Sequence, residues 1–152
     1  MEYMARLWFN KLPIFIVRPF NYTGVGQTEL FLIPKIVSHF KSKKDIIELG
    51  NTSVWREFND VRAVANKYRL LLELAPVGQT INVCTGNMYS LSEVVETATK
   101  ITGCNIDIKI NPSFVRKNEL VKLRGDDSLL WSLVGKMDMY SLEDTIRWMV
   151  DS

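Results

Sequence analysis

One histidine, His39, and two cysteines, Cys84 and Cys104, leave this 152-residue chain poor in the side chains that most often ligate metals or act as nucleophiles. The cysteines lack C-x-x-C spacing and cannot build a zinc site. They read as the reduced, buried thiols of a cytoplasmic protein. His39 reads as a half-exposed residue on a helix. Charge of one sign is missing too. The 19 basic and 17 acidic residues nearly cancel, and without a long Lys/Arg run there is no electrostatic footprint for nucleic acid or a membrane surface. No apolar stretch reaches the roughly 18 residues that a membrane-spanning helix needs. Glu2 and Arg6 fall where a signal peptide would need an apolar core.

What is present fits one globular domain over residues 1–152, with 47% hydrophobic and 24% charged residues and no internal repeat. Residues 2–9 read as a helix with Tyr3, Leu7 and Trp8 on one face, broken at Lys11-Leu12-Pro13. The apolar run of residues 14–17 predicts a strand buried on both faces, as in the centre of a parallel sheet. A helix follows in "LFLIPKIVSHF", with Pro34 tolerable in its first turn. "DIIEL" and "SVWREF" flank Gly50-Asn51 and predict a short hairpin. Asn59 or Asp60 can cap a helix whose apolar face is Val61, Val64, Ala65, Tyr68, Leu71 and Leu72. "TINVC" predicts another strand. Ser90 and Glu93 form a capping box for a helix with Leu91, Val94, Val95, Ala98 and Ile101 on one face, ended by Gly103. "IDIKI" alternates like a strand with one wet face. Two short helices, capped near Asp126 and by Ser141, close the chain.

The common catalytic signatures do not occur. No G-x-G-x-x-G follows a strand, since Glu29 stands where a third glycine would fall after Gly24 and Gly26. No tyrosine has a lysine four residues later, and there is no G-x-S-x-G, H-E-x-x-H or P-loop. Anion binding has more support: Arg18, Arg56, Arg62, Arg116 and Arg124 lie at strand ends or in loops, and a guanidinium fork suits bidentate phosphate contacts. The loop 21–27 adds backbone N–H groups at the C-terminal end of a strand, where α/β proteins tend to place ligands.

Five segments, "VRPFNYTGVGQ", "LIPKIVSHF", "WREFNDVRAVANKY", "INVCTGNMYSLSEVV" and "RKNELVKLRGDDSLL", give the chain a resemblance over roughly residues 2–150. It resembles the C-terminal half of extended short-chain dehydrogenases/reductases acting on nucleotide sugars, most closely GDP-mannose 4,6-dehydratases and GDP-6-deoxy-mannose reductases. The resemblance implies an α/β fold: a partial Rossmann-type sheet with the small C-terminal substrate-binding lobe. It also implies that the glycine-rich NAD(P) loop and the Tyr-x-x-x-Lys pair belong to a preceding half, so no cofactor and no catalytic residue is expected in this chain.

By position, the resemblance implies that Asn21 contacts the sugar nucleotide, Arg56 the diphosphate, and Arg116 with Glu119 phosphate and ribose, while Pro34 marks the helix lining the pocket. Ala63, Glu57, Lys117-Asn118 and Lys136-Met137 depart from the family pattern and imply a less exact pocket. The expected function is nucleotide-sugar binding by a truncated family member without catalysis of its own. The alternatives are one subunit of a split dehydratase or reductase, and an interaction protein that has lost its ligand. The expected partners are a nucleotide sugar and either a second copy in a homodimer or a complementary N-terminal chain.

Overall fold

The computed structural model describes every residue except Arg116 and Asp138. In chain order the elements are α1 (Glu2–Arg6), β1 (Ile16–Pro19), β2 (Tyr22–Thr23), α2 (Leu32–Lys41), β3 (Ile46–Leu49), β4 (Trp55–Arg56), β5 (Asn59–Asp60), α3 (Val61–Leu74), β6 (Thr80–Val83), β7 (Tyr89–Ser90), α4 (Leu91–Thr102), β8 (Asp107–Ile110), α5 (Ser128–Val134) and α6 (Leu142–Asp151). The strands form two-stranded ladders: β1 with β6, β2 with β5 and β3 with β8 are parallel, and β4 with β7 is antiparallel. Parallel ladders joined through helices make this an α/β fold with fragments of a Rossmann-type sheet and a smaller lobe.

Two apolar clusters hold it together. Val64 and Leu71 of α3 and Leu130 of α5 pack with Ile81 and Val83 of β6, and Phe15 and Val17 join them from the β1 side. The larger cluster joins α2, α4 and α6 through Ile36, Phe40, Val94, Ala98, Ile146 and Met149, with Ile47 and Leu49 of β3 beneath. Helix starts follow their capping chemistry. Asp60 caps α3 through the Arg62 N–H, and Ser90 with Glu93 and Ser141 with Asp144 form complete capping boxes on α4 and α6. Gly103 closes α4 at φ 69°, in the left-handed region that glycine favours. Pro34 lies in the first turn of α2, where its missing N–H breaks no helical bond.

Several expectations need correction. The helix at the N-terminus stops at Arg6, and residues 7–11 are turns. β1 begins at Ile16, the run of residues 14–17 is half-buried rather than buried on both faces, and β6 is the one partner of β1 among the described residues. No hairpin forms around Gly50-Asn51, because β3 pairs with β8 and β4 with β7. Gly50 serves close packing instead, since a Cβ there would lie 2.7 Å from the Phe114 carbonyl oxygen. On α3 the buried stripe is Ala63, Val64, Lys67 and Leu71, while Ala65 and Leu72 are exposed, because a lysine occupies a core position that hydropathy assigns to solvent. β8 is exposed along its whole length, where one covered face was expected.

Candidate functional site

A cleft of about 920 Å³ opens where β1 and β3 end, the edge at which parallel sheets tend to take ligands. Its walls are residues 19–23, the first turn of α2 with Pro34, residues 48–51, and Arg56. Phe31 and Phe114 give it an apolar side, and Glu119 completes it. Three of the four positions expected to bind ligand, Asn21, Arg56 and Glu119, therefore meet on one cavity although they come from distant parts of the chain. The fourth, Arg116, lies outside the described residues.

Backbone pairing brings Arg56 and Glu119 together. Trp55 N–H donates to the Val121 carbonyl at 2.7 Å and Leu123 N–H donates back to Trp55 at 3.2 Å, so the segment after Glu119 runs along β4. Arg56 Nη1 donates to the Trp55 carbonyl at 2.8 Å. Its Nη2 stands 3.6 Å from Glu119 Oε1, and both side chains are largely buried. The other carboxylate oxygen, Glu119 Oε2, is buried without a hydrogen-bond partner among the described residues. A buried acceptor in that position favours an incoming donor such as a hydroxyl.

The other arginines are committed elsewhere. Arg18 pairs with Glu2 on the surface at 2.6 Å. Arg62 forms a two-point contact with the buried Asp60 at 2.9 and 2.7 Å and stacks between the Tyr140 and Trp148 rings. Arg124 lies beside Gly86. None of these three lines the cleft.

Glu57, read from the sequence as a departure that loosens the pocket, is instead a fully buried anchor. Its carboxylate accepts from the Gly125 N–H at 2.6 Å, the Thr85 N–H at 2.8 Å and the Gly86 N–H at 3.3 Å. The reach of a glutamate thus ties the strand carrying Arg56 to the loops that follow β6 and precede α5. The signal available in sequence was its place next to Arg56, since successive strand residues face opposite ways. Nearby, the buried Lys67 Nζ donates to the Cys84 carbonyl at 2.9 Å. Burial pushes the Cys84 thiol up to about 12, so it stays protonated and packs as an apolar group. Cys104 is also a free thiol.

Gly24 and Gly26 do not form a glycine-rich turn leading straight into a helix. A dinucleotide cradle sets such a turn directly between a strand and a helix N-terminus. Here a Cβ on Gly24 would lie 2.5 Å from Val61 and 3.0 Å from Trp148, so that glycine serves helix packing, and α2 starts only at Leu32. Among the described residues no His/Cys/Asp/Glu group could hold a metal ion, and no helix is long and apolar enough to cross a membrane.

Comparison with known proteins shows the family. The chain is 40% identical over 136 residues to GDP-6-deoxy-D-talose 4-dehydrogenase of Aggregatibacter actinomycetemcomitans, a match covering 89% of the chain and 46% of that protein. It is 27% identical over 139 residues to GDP-6-deoxy-D-mannose reductase of Pseudomonas aeruginosa, covering 88% and 46%. A crystal structure from Burkholderia cenocepacia J2315 superposes with a TM-score of 0.96 at 49% identity, covering 99% of this chain and 50% of that one. The chain thus spans about half the length of the relatives it matches. The family model described as GDP-mannose 4,6 dehydratase matches residues 3–149, and the chain belongs to that family.

Proposed function

We propose that this chain recognises a GDP-sugar and performs no hydride or dehydration chemistry by itself. The observation that carries the reading is the meeting of Asn21, Arg56 and Glu119 on one cleft at the carboxyl ends of parallel strands. In this reading the Arg56 guanidinium takes the diphosphate, with Arg116 as the second arginine by its place in the sequence. Glu119 Oε2, buried and without a described partner, accepts a ribose hydroxyl, and Asn21 meets the sugar. The names of the two curated relatives, both acting on GDP-6-deoxy sugars, support guanosine as the nucleoside. Hydride transfer needs a bound nicotinamide and proton transfer a positioned acid/base, and this sequence carries neither a G-x-G-x-x-G nor a Tyr-x-x-x-Lys to supply them. The free thiols Cys84 and Cys104 support a reducing, cytoplasmic setting.

Calorimetric titration with GDP-mannose tests the binding. A cleft this open should give a dissociation constant of about 0.1–1 mM, or about −4 to −5.5 kcal/mol. Arg56→Ala should weaken it by about tenfold or more, the scale of one charge-assisted contact. Equal heats for both proteins, or none from the wild type, refute the reading. The same preparation mixed with NADP⁺ or NADPH and a GDP-sugar should show no change in absorbance at the nicotinamide band, and turnover by the pure chain refutes the second half of the proposal.

A further inference from the structure

We infer that Asn59 is a positioning residue that fixes how Asn21 is presented to the cleft, an inference that rests on the binding reading above. Asn59 does not line the cleft. It is 2% exposed and sits one strand behind the cleft wall, in β5, opposite Tyr22 of β2. Two of its groups converge on one atom: the Asn59 backbone N–H and the side-chain Nδ2 each donate to the Asn21 carbonyl oxygen at 2.9 Å. A carbonyl oxygen has two lone pairs, so this pair of donors occupies both. Two donors set the tilt of the Asn21 peptide plane as well as its distance, and that tilt determines where the neighbouring chain of the wall points.

Asn59 is itself held from the other side. The next residue, Asp60, has a fully buried side chain that caps α3 through the Arg62 N–H at 2.8 Å, grips the Arg62 guanidinium and accepts from Thr145 Oγ1 of α6 at 2.9 Å. The short strand β5 is therefore tied to two helices on one flank and to the cleft wall on the other. The remaining polar atom of Asn59 points to the same purpose. Its Oδ1 is buried with no hydrogen-bond partner among the described residues. Turning the amide over would set that oxygen against the Asn21 oxygen, acceptor against acceptor, so the network dictates the orientation. An unpaired buried acceptor is unfavourable for folding. The side chain is thus oriented by its donor end alone, and that end serves Asn21.

A double-mutant cycle on the full chain tests this. Asn59→Asp keeps the shape and exchanges the donor for an acceptor, and Asn59→Ser is the second variant should the first fail to fold. Either should weaken GDP-mannose binding by about tenfold while GDP, which lacks the sugar, binds within about twofold of wild type. In an Asn21→Ala background the same substitution should add nothing. Equal loss for both ligands, or an undiminished loss in the Asn21→Ala background, overturns the inference. A wild-type chain that does not bind GDP-mannose would refute the binding reading separately. The inference is then decided by the side-chain amide NMR signals of Asn21 in the ligand-free chain. They should shift and broaden in a folded Asn59 variant, and unchanged signals overturn it.

Discussion

Burial acts to raise the pKa of the Asp60 carboxyl, but the Arg62 guanidinium, the Arg62 backbone N–H and the Thr145 hydroxyl outweigh it, so the group titrates below the ordinary value of 3.8. A carboxylate whose folded pKa is depressed contributes stability that is complete above the unfolded value and is lost as pH falls through the folded one. Urea midpoints should therefore be flat from neutral pH down to about pH 4 and fall below it, with Asp60 as one contributor. In Asp60→Asn the fall should be shallower, and at neutral pH the variant should be less stable by about 2–4 kcal/mol, because a buried partner of Arg62 is lost while the cap oxygen stays. An unchanged pH profile in Asp60→Asn would show that the pair contributes nothing to acid sensitivity. At this scale the sequence was partly readable. Asn59 and Asp60 were both open to reading as the cap because capping is local, and Asp60 fills that role, whereas the partners of Glu57, Asn59 and Lys67 were not legible. Each is buried against backbone groups from segments far along the chain, and no neighbour in sequence announces those partners.

Elements were legible where their ends carry their own chemistry. The α4 start is an example: Ser90 Oγ accepts from the Glu93 N–H at 3.1 Å and Glu93 Oε2 accepts from the Ser90 N–H at 2.7 Å. The helix then delivers Leu91, Val94, Val95 and Ala98 to the core shared with α2 and α6. Ser90→Ala should destabilise the chain by about 1 kcal/mol in equilibrium unfolding without altering GDP-mannose affinity, because it removes a hydroxyl and keeps the backbone pairing of β7 with β4, which carries Arg56. A change in affinity larger than about twofold would mean that α4 and the cleft are coupled. Strand pairing was much less legible. "DIIEL" and "SVWREF" carry the composition of a hairpin, yet their partners lie at residues 107–110 and 89–90. A turn signal at Gly50 is local, and the choice of partner belongs to the tertiary fold. The same limit explains the site. Arg56 and Glu119 share a cleft because residues 121–123 run beside Trp55, and only the family resemblance, not spacing, pointed to them together.

For the whole molecule, the exposed surface carries a further expectation. Tyr3 is 79% exposed, Leu7 61% and Trp8 46%, so the apolar face of the first helix and its following turn packs on little of the described chain. α1 is tethered through polar contacts instead: Glu2 accepts from Arg18, and Arg6 donates to Thr80 Oγ1 at 3.0 Å. Beside it, β1 pairs with β6 alone among the described residues, which leaves one strand edge with free donors and acceptors. An apolar patch next to an open edge is a template for association. The 152-residue chain should therefore self-associate, and closed two-fold pairing is the commonest solution for a single chain type. A stable dimer built on α1 and the β1 edge would bury about 2,000 Å² or more. Light scattering at micromolar concentration should give twice the monomer mass, and Leu7→Glu with Trp8→Glu should return it to the monomer with the fold intact by circular dichroism. A complementary chain that supplies a neighbouring strand would compete with the dimer and convert it to a one-to-one complex. A monodisperse monomer of the unmodified chain, with Trp8 emission as red-shifted as in unfolded protein, would show that water covers this face and that the association argument fails.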